Sequence, residues 1–238
     1  MCTVTFIPTK KNDFILTSNR DESPMRTSLP PDFYKIEDVE VLFPKDELSG
    51  GSWIGITELN RMVCLLNGAN KDHKRKLPYR MSRGEVVKSA LTSNDIERHL
   101  EDLDLSGIEP FTLIVLDWNK ELTLSELVWD ANHRHLSRLP LSPRIWSSST
   151  LYTDEMKVMR KQWFEAFKFK NILSAENIWR FHHEAGIGDK NTDVVLDRGF
   201  VKTTSITQVE KKDRAVQMTF EDVRTNAITS KTFELENV

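Results

Sequence analysis

A chain of 238 residues with 39% hydrophobic and 29% charged side chains can bury a sizeable core, a mixture that excludes a disordered chain. Its formal net charge of -3 excludes a global pull toward nucleic acid or an anionic membrane, so any basic site has to be local. Its two cysteines, Cys2 and Cys64, cannot form a disulfide framework, and no Cys/His spacing matches a structural zinc site.

The longest apolar runs, such as Phe111 to Leu116, are too short to span a bilayer. Met1 to Pro8 lacks the basic and apolar regions of a secretory signal, which makes the cytoplasm the expected compartment. No composition shift or low-complexity tract marks a linker, and residues 1–238 read as one domain.

Thr3 to Ile7 and Phe14 to Ser18 read as strands joined by the polar turn Thr9 to Asp13, a hairpin. Asn19-Arg20-Asp21-Glu22 follows the second strand, and Pro24, Pro30 and Pro31 point to irregular chain through about residue 35. Gly50-Gly51-Ser52-Trp53-Ile54-Gly55-Ile56 opens another hairpin, with Glu58-Leu59-Asn60 at its turn and Arg61 to Asn67 as its return strand. Asn70 to Arg83 is a polar, basic surface loop. It ends in Ser82-Arg83-Gly84-Glu85, a capping box ahead of the apolar stripe Val86, Val87, Ala90 and Leu91.

Asn94 to Leu103 is a second helical pattern, and Phe111 to Asp117 with Leu122 to Trp129 reads as a pair of central strands. Trp146 to Thr150 leads into a helix carrying Met156, Met159, Trp163 and Phe167 at helical spacing. Ser174 caps the next helix, which Gly186 and Gly188 end. Val201 to Val209, Ala215 to Phe220 and Lys231 to Leu235 read as strands. Blocks of hairpins alternating with blocks of helices predict an α+β chain of antiparallel sheets covered by helices.

Cys2 carries the sharpest chemistry. Removal of Met1 would leave it with both a thiol and a free α-amine, and an amine with a pKa of about 8 accepts a thiol proton near neutral pH better than a lysine does. Asn19, Arg20, Asp21 and Glu22 place four hydrogen-bonding side chains beside the strand expected to pair with the first one; alone, such a stretch is a capped turn with solvated charges. Asn67 stands at a strand end, where a side-chain amide suits either an oxyanion donor or a turn residue before Gly68. Trp53 suits a pocket wall or a buried anchor. Cys64 lies in an apolar strand and reads as a core thiol, and His182-His183 read as surface or packing residues. The basic loop around Lys71 to Arg83 lacks the interleaved aromatics of a single-strand binder, so no nucleic-acid partner is expected.

Met1-Cys2, Asn19-Arg20-Asp21-Glu22, Gly50-Gly51-Ser52-Trp53-Ile54-Gly55, Leu66-Asn67, Ser82-Arg83-Gly84 and Trp146-Ser147-Ser148-Ser149 occur together and in this order. In these motifs the chain resembles the NRDE family, also called the transport and Golgi organisation family, related to penicillin V acylase and bile salt hydrolase. The resemblance implies an N-terminal nucleophile hydrolase fold, an αββα sandwich of two antiparallel sheets between helical layers, and a non-peptide carbon-nitrogen bond of a small amide as the target. It makes Cys2 the nucleophile, Asp21 the carboxylate that holds the α-amine, Arg20 a positive charge near the thiolate and Asn67 an oxyanion donor, with Asn19, Glu22 and Trp53 as site-lining residues. Where the hydrolase relatives have a second asparagine and a late arginine, this chain offers Ser148 and either Arg198 or Lys202. No cofactor is implied. The rival reading is a binding or trafficking module for haem or a lipid-like ligand.

Overall fold

The computed structural model describes residues 3–234. In it β1 (Thr3–Pro8) and β2 (Phe14–Glu22) form the expected hairpin. β2 does not stop at Ser18, however. It runs on through Asn19 to Glu22 because β11 (Lys202–Lys212) pairs with it as far as Thr203 with Asp21 and Lys202 with Glu22.

The stretch that the prolines were expected to hold irregular is likewise a strand. β3 (Ser28–Ile36) pairs with β4 (Val39–Asp46), and the register shifts between Leu29 and Asp32, across Pro30 and Pro31. Proline lacks the ladder donor, so it is tolerated where β3 lies, at a sheet edge and a bulge.

β4 continues into β5 (Ile54–Thr57), β6 (Arg61–Asn67), β7 (Phe111–Asp117), β8 (Thr123–Trp129) and β9 (Arg134–Leu139), a seven-stranded antiparallel sheet in chain order. The six-stranded sheet is β10-β1-β2-β11-β12-β13, with β10 Arg144–Ser147, β12 Ala215–Asp222 and β13 Ala227–Glu234.

The sheets meet over one apolar layer to which both contribute: Phe6, Phe14 and Leu16 from one, Ile54, Met62 and Leu116 from the other. Each outer face takes a helical layer. α1 (Arg83–Thr92) and α2 (Ile96–Asp102) cover the larger sheet through Val86, Val87, Ala90 and Leu91, the stripe read from the sequence, packed with Val63, Leu65 and Phe111. α3 (Asp154–Lys170) and α4 (Ala175–Glu184) cover the smaller sheet, where Phe164, Ile178 and Phe181 meet Ile7 and Ile15. The αββα sandwich expected from the sequence is therefore the fold.

Side chains orient the helices as firmly as the apolar layers do. Ser82 caps α1 by accepting from the Glu85 amide, as the capping box requires. At the other end of α1 the buried Arg61 guanidinium donates to the carbonyls of Ala90 and Ser93 at 2.9 and 2.7 Å, satisfying acceptors that a helix leaves open. α4 is tied to the hairpin by His182, which is fully buried between the helix and the sheet. The Asn19 amide donates to the carbonyls of His182 and Val194, so its oxygen is left to accept from His182 Nδ1. His182 Nε2 then accepts from the Thr5 hydroxyl at 2.7 Å, which fixes a neutral imidazole.

Burial, with His183 as a lesser cause, drives the His182 imidazole down to about 3, and burial also lowers His99. Unfolded, both bind a proton below about pH 6.5, whereas the folded chain resists it. Stability is then complete above about pH 6.5 and falls as the pH drops toward 3, by about 1.4 kcal/mol per pH unit for His182 kept neutral. Urea denaturation across this window should show that slope in the native chain and a shallower one in His182→Gln; equal slopes would contradict the assignment.

Candidate active site

Because successive residues of a strand face opposite sides, β2 divides the Asn19 to Glu22 stretch between two environments. Arg20 and Glu22 line a cleft of about 680 Å³ together with Trp53 and Asn67. Asn19 and Asp21 belong to the helical side: Asn19 makes the bonds to α4 already described, and Asp21 accepts from the Tyr152 hydroxyl and, at 2.6 Å, from Thr203 Oγ1.

β11 serves both sides at once. Its register with β2 shifts between Thr203 and Ser205, and this bulge turns Thr203 toward Asp21 while Thr204 meets Arg20. The Thr204 hydroxyl donates to the Arg20 carbonyl at 3.1 Å and accepts from the Arg20 guanidinium at 3.2 Å.

Arg20 is buried and held from three directions. Nη2 pairs with Asp46 Oδ2 at 2.6 Å, Glu22 lies 3.9 Å away, and the guanidinium carbon sits 4.6 Å from the centre of the Trp53 ring. Arg26 reaches the same Asp46 oxygen at 2.7 Å, and Ser49 donates to Oδ1 from both its amide and its hydroxyl. Burial alone would raise the Asp46 carboxyl; the bonds from Ser49 and Arg26 outweigh it and hold the group below its ordinary value. This anchored carboxylate keeps a desolvated cation at the cleft floor, where an unpaired arginine would be costly.

Asn67 ends β6 and lines the cleft. Its main-chain oxygen accepts from Ser148 Oγ at 2.7 Å, and Ser149 Oγ donates to the Ala69 carbonyl. Among the described residues no side chain holds the Asn67 carboxamide, which leaves its N–H groups available to a guest. Ser148 thus positions the Asn67 backbone. Arg198 and Lys202 stand elsewhere: Arg198 donates to the carbonyls of Leu151 and Asn191, and Lys202 pairs with Asp197 at 2.9 Å. Cys2 lies outside the described residues, one position before β1 begins at Thr3. Cys64, the other thiol, is fully buried, and burial pushes it up to about 12, which makes it a poor nucleophile.

Four supporting residues were not singled out in the sequence. Tyr152, Thr203, Thr204 and Asp46 have no motif of their own, and the bulge shows only in the register of β11 with β2. Arg160 also escaped notice. It is fully buried on α3, with its guanidinium carbon 3.7 Å from the Tyr152 ring centre and Nε donating to Thr3 Oγ1 at 3.3 Å, so it backs the tyrosine that holds Asp21.

The family model described as Transport and Golgi organisation 2 matches residues 1–230. No curated protein matches the chain. Among solved structures, a variant of conjugated bile acid hydrolase from Clostridium perfringens aligns with a TM-score of 0.60 at 11% identity, over 99% of this chain and 97% of that one. Penicillin V acylase from Agrobacterium tumefaciens gives 0.60 at 12% identity over 96% and 85% of the two chains. The Caenorhabditis elegans ortholog of N-acylethanolamine-hydrolyzing acid amidase gives 0.57 at 10% identity over 87% and 92%. At these identities the likeness is one of fold, the αββα sandwich that this chain shares with the three structures.

The cleft wall depends on a glycine contact between two of the sequence motifs. A methyl group built on Gly84 would lie 3.2 Å from the Gly51 Cα and 3.4 Å from the Ser52 amide, so the start of α1 rests directly on backbone at the Gly51 turn. Gly84→Ala should cost about 1 to 3 kcal/mol of stability by overpacking, read as a lower urea midpoint at unchanged slope. A neutral or stabilising substitution would show that the contact is slack.

Proposed function

The chain belongs to the Transport and Golgi organisation 2 family, and from that premise we propose that it is an amidohydrolase using Cys2 as an N-terminal nucleophile. One observation carries the reading: Arg20 and the unengaged Asn67 carboxamide line one cleft, and Arg20 directly follows Asn19, the register partner of Thr3. The names of the similar structures, a bile acid hydrolase, an acylase and an amidase, support an amide substrate.

In the proposed reaction Met1 is removed and the Cys2 α-amine takes the thiol proton. The sulfur attacks the amide carbon, the oxygen that becomes negative is held by Asn67 and backbone N–H groups, and the α-ammonium returns the proton to the nitrogen as the C–N bond breaks. Water then cleaves the thioester and releases the acid. Asp21, fixed by Tyr152 and Thr203, holds the α-amine, and Arg20 supplies positive charge to the thiolate. We place the reaction in the cytoplasm, where reducing conditions keep Cys2 free; among the described residues no helix is long and apolar enough to cross a membrane.

The substrate is a small amide with polar groups near the scissile bond. Five arginines and three carboxylates among the cleft residues favour it over the lipid-like ligand of the carrier reading, because a long apolar tail would desolvate charges without pairing them.

A panel of N-acyl amides, followed by release of the free amine, tests the reading. Turnover should vanish in Cys2→Ala and fall about a hundredfold in kcat in Asn67→Ala, the usual consequence of losing an oxyanion donor. Cys2→Ala turning over at the native rate would sink it.

A further inference from the structure

The turn between β8 and β9 gathers three potential ligands far along the seven-stranded sheet from β4, which carries the cleft residue Asp46. β8 and β9 pair up to Trp129 with Arg134, leaving residues 130–133 as the connection. Ala131 takes φ 82, in the left-handed region that a non-glycine residue seldom enters. Asp130 closes the turn with one oxygen only: Oδ1 accepts from the amides of Asn132 and His133 at 2.8 and 2.7 Å. Its other oxygen, Oδ2, faces two imidazoles, with His135 Nε2 at 3.2 Å and His133 Nδ1 at 3.5 Å.

The ligand atoms of Asp130, His133 and His135 all lie within 4.8 Å of one another. Metal bonds of about 2.0 to 2.1 Å in tetrahedral geometry separate ligand atoms by about 3.3 Å. Both carboxylate-imidazole spacings already match that figure, so only the two imidazoles need to close, and both histidines are more than half exposed and have room to turn. Two imidazoles with one carboxylate select late first-row divalent cations over calcium or magnesium, which take oxygen ligands.

We propose that Asp130, His133 and His135 form a binding site for a zinc-class divalent cation, with the fourth position open to water. The site escapes a search for Cys/His spacing because its third ligand is an aspartate. It would clip the start of β9, an exposed edge strand that among the described residues pairs only with β8, to the end of its neighbour.

Titration of the metal-stripped full chain with zinc ion alone, followed by calorimetry and thermal melting, tests the site. The native chain should bind one equivalent and melt at a higher temperature with zinc than without. The double variant His133→Gln/His135→Gln should bind at least about tenfold more weakly, and Asp130→Asn, which retains the Oδ1 acceptor, should also weaken binding. The two exposed histidine substitutions should leave the zinc-free melting temperature unchanged, so a loss of binding in the double variant is not a loss of fold. No saturable binding, binding that survives the double variant, or binding abolished only by Cys2→Ala would overturn the proposal.

Discussion

A strand sends alternate side chains to opposite faces, and in β2 both faces are buried. That constraint organises the site. It commits Asn19 and Asp21 to the layer under α3 and α4, and Arg20 and Glu22 to the cleft. A one-residue slip would put Asp21 in the cleft and bury Arg20 against α4, away from Asp46. The bulge in β11 makes the division workable, because Thr203 serves Asp21 and Thr204 serves Arg20 on opposite faces.

Charge is built into the interior in the same two layers. Arg20 with Asp46 and Arg26 forms one network at the cleft floor, and Arg160 behind Tyr152 forms another beneath Asp21. Buried ions of this kind contribute little net stability when paired and are expensive when a partner is lost. Their value lies in position. An arginine gripped at its guanidinium by Asp46 and stacked on Trp53 cannot wander from the cleft, and a carboxylate held by two hydroxyls is fixed before any substrate arrives.

Much of this was legible in the sequence wherever local chemistry decides structure. The Ser82 cap, the Val86 to Leu91 stripe, the Phe111 to Asp117 strand and the Ser174 cap all depend on neighbours close in the chain. Pro30 and Pro31 misled because proline rules out a central strand but not an edge strand with a bulge, and edge position is a property of the whole sheet. Asn19 to Glu22 belongs to a strand, not to the turn its composition suggests, because β11 arrives from nearly two hundred residues away to pair with it. The site follows the same pattern. Arg20 and Asn67 could be named from their motifs, whereas Asp46, Tyr152, Thr203 and Arg160 act through contacts that exist only once both sheets and α3 are assembled. His182 read as a surface or packing residue and proves to be the buried link between α4 and the hairpin.

The central claim is that Cys2, freed of Met1, is the nucleophile. Intact mass of untagged protein before and after reaction with a β-lactam acylating probe, with the modified peptide sequenced, tests it most directly. The account predicts a chain lacking Met1 that gains one acyl group on Cys2, with Cys64 unmodified. Retention of Met1, or an adduct on any residue other than Cys2, would contradict it.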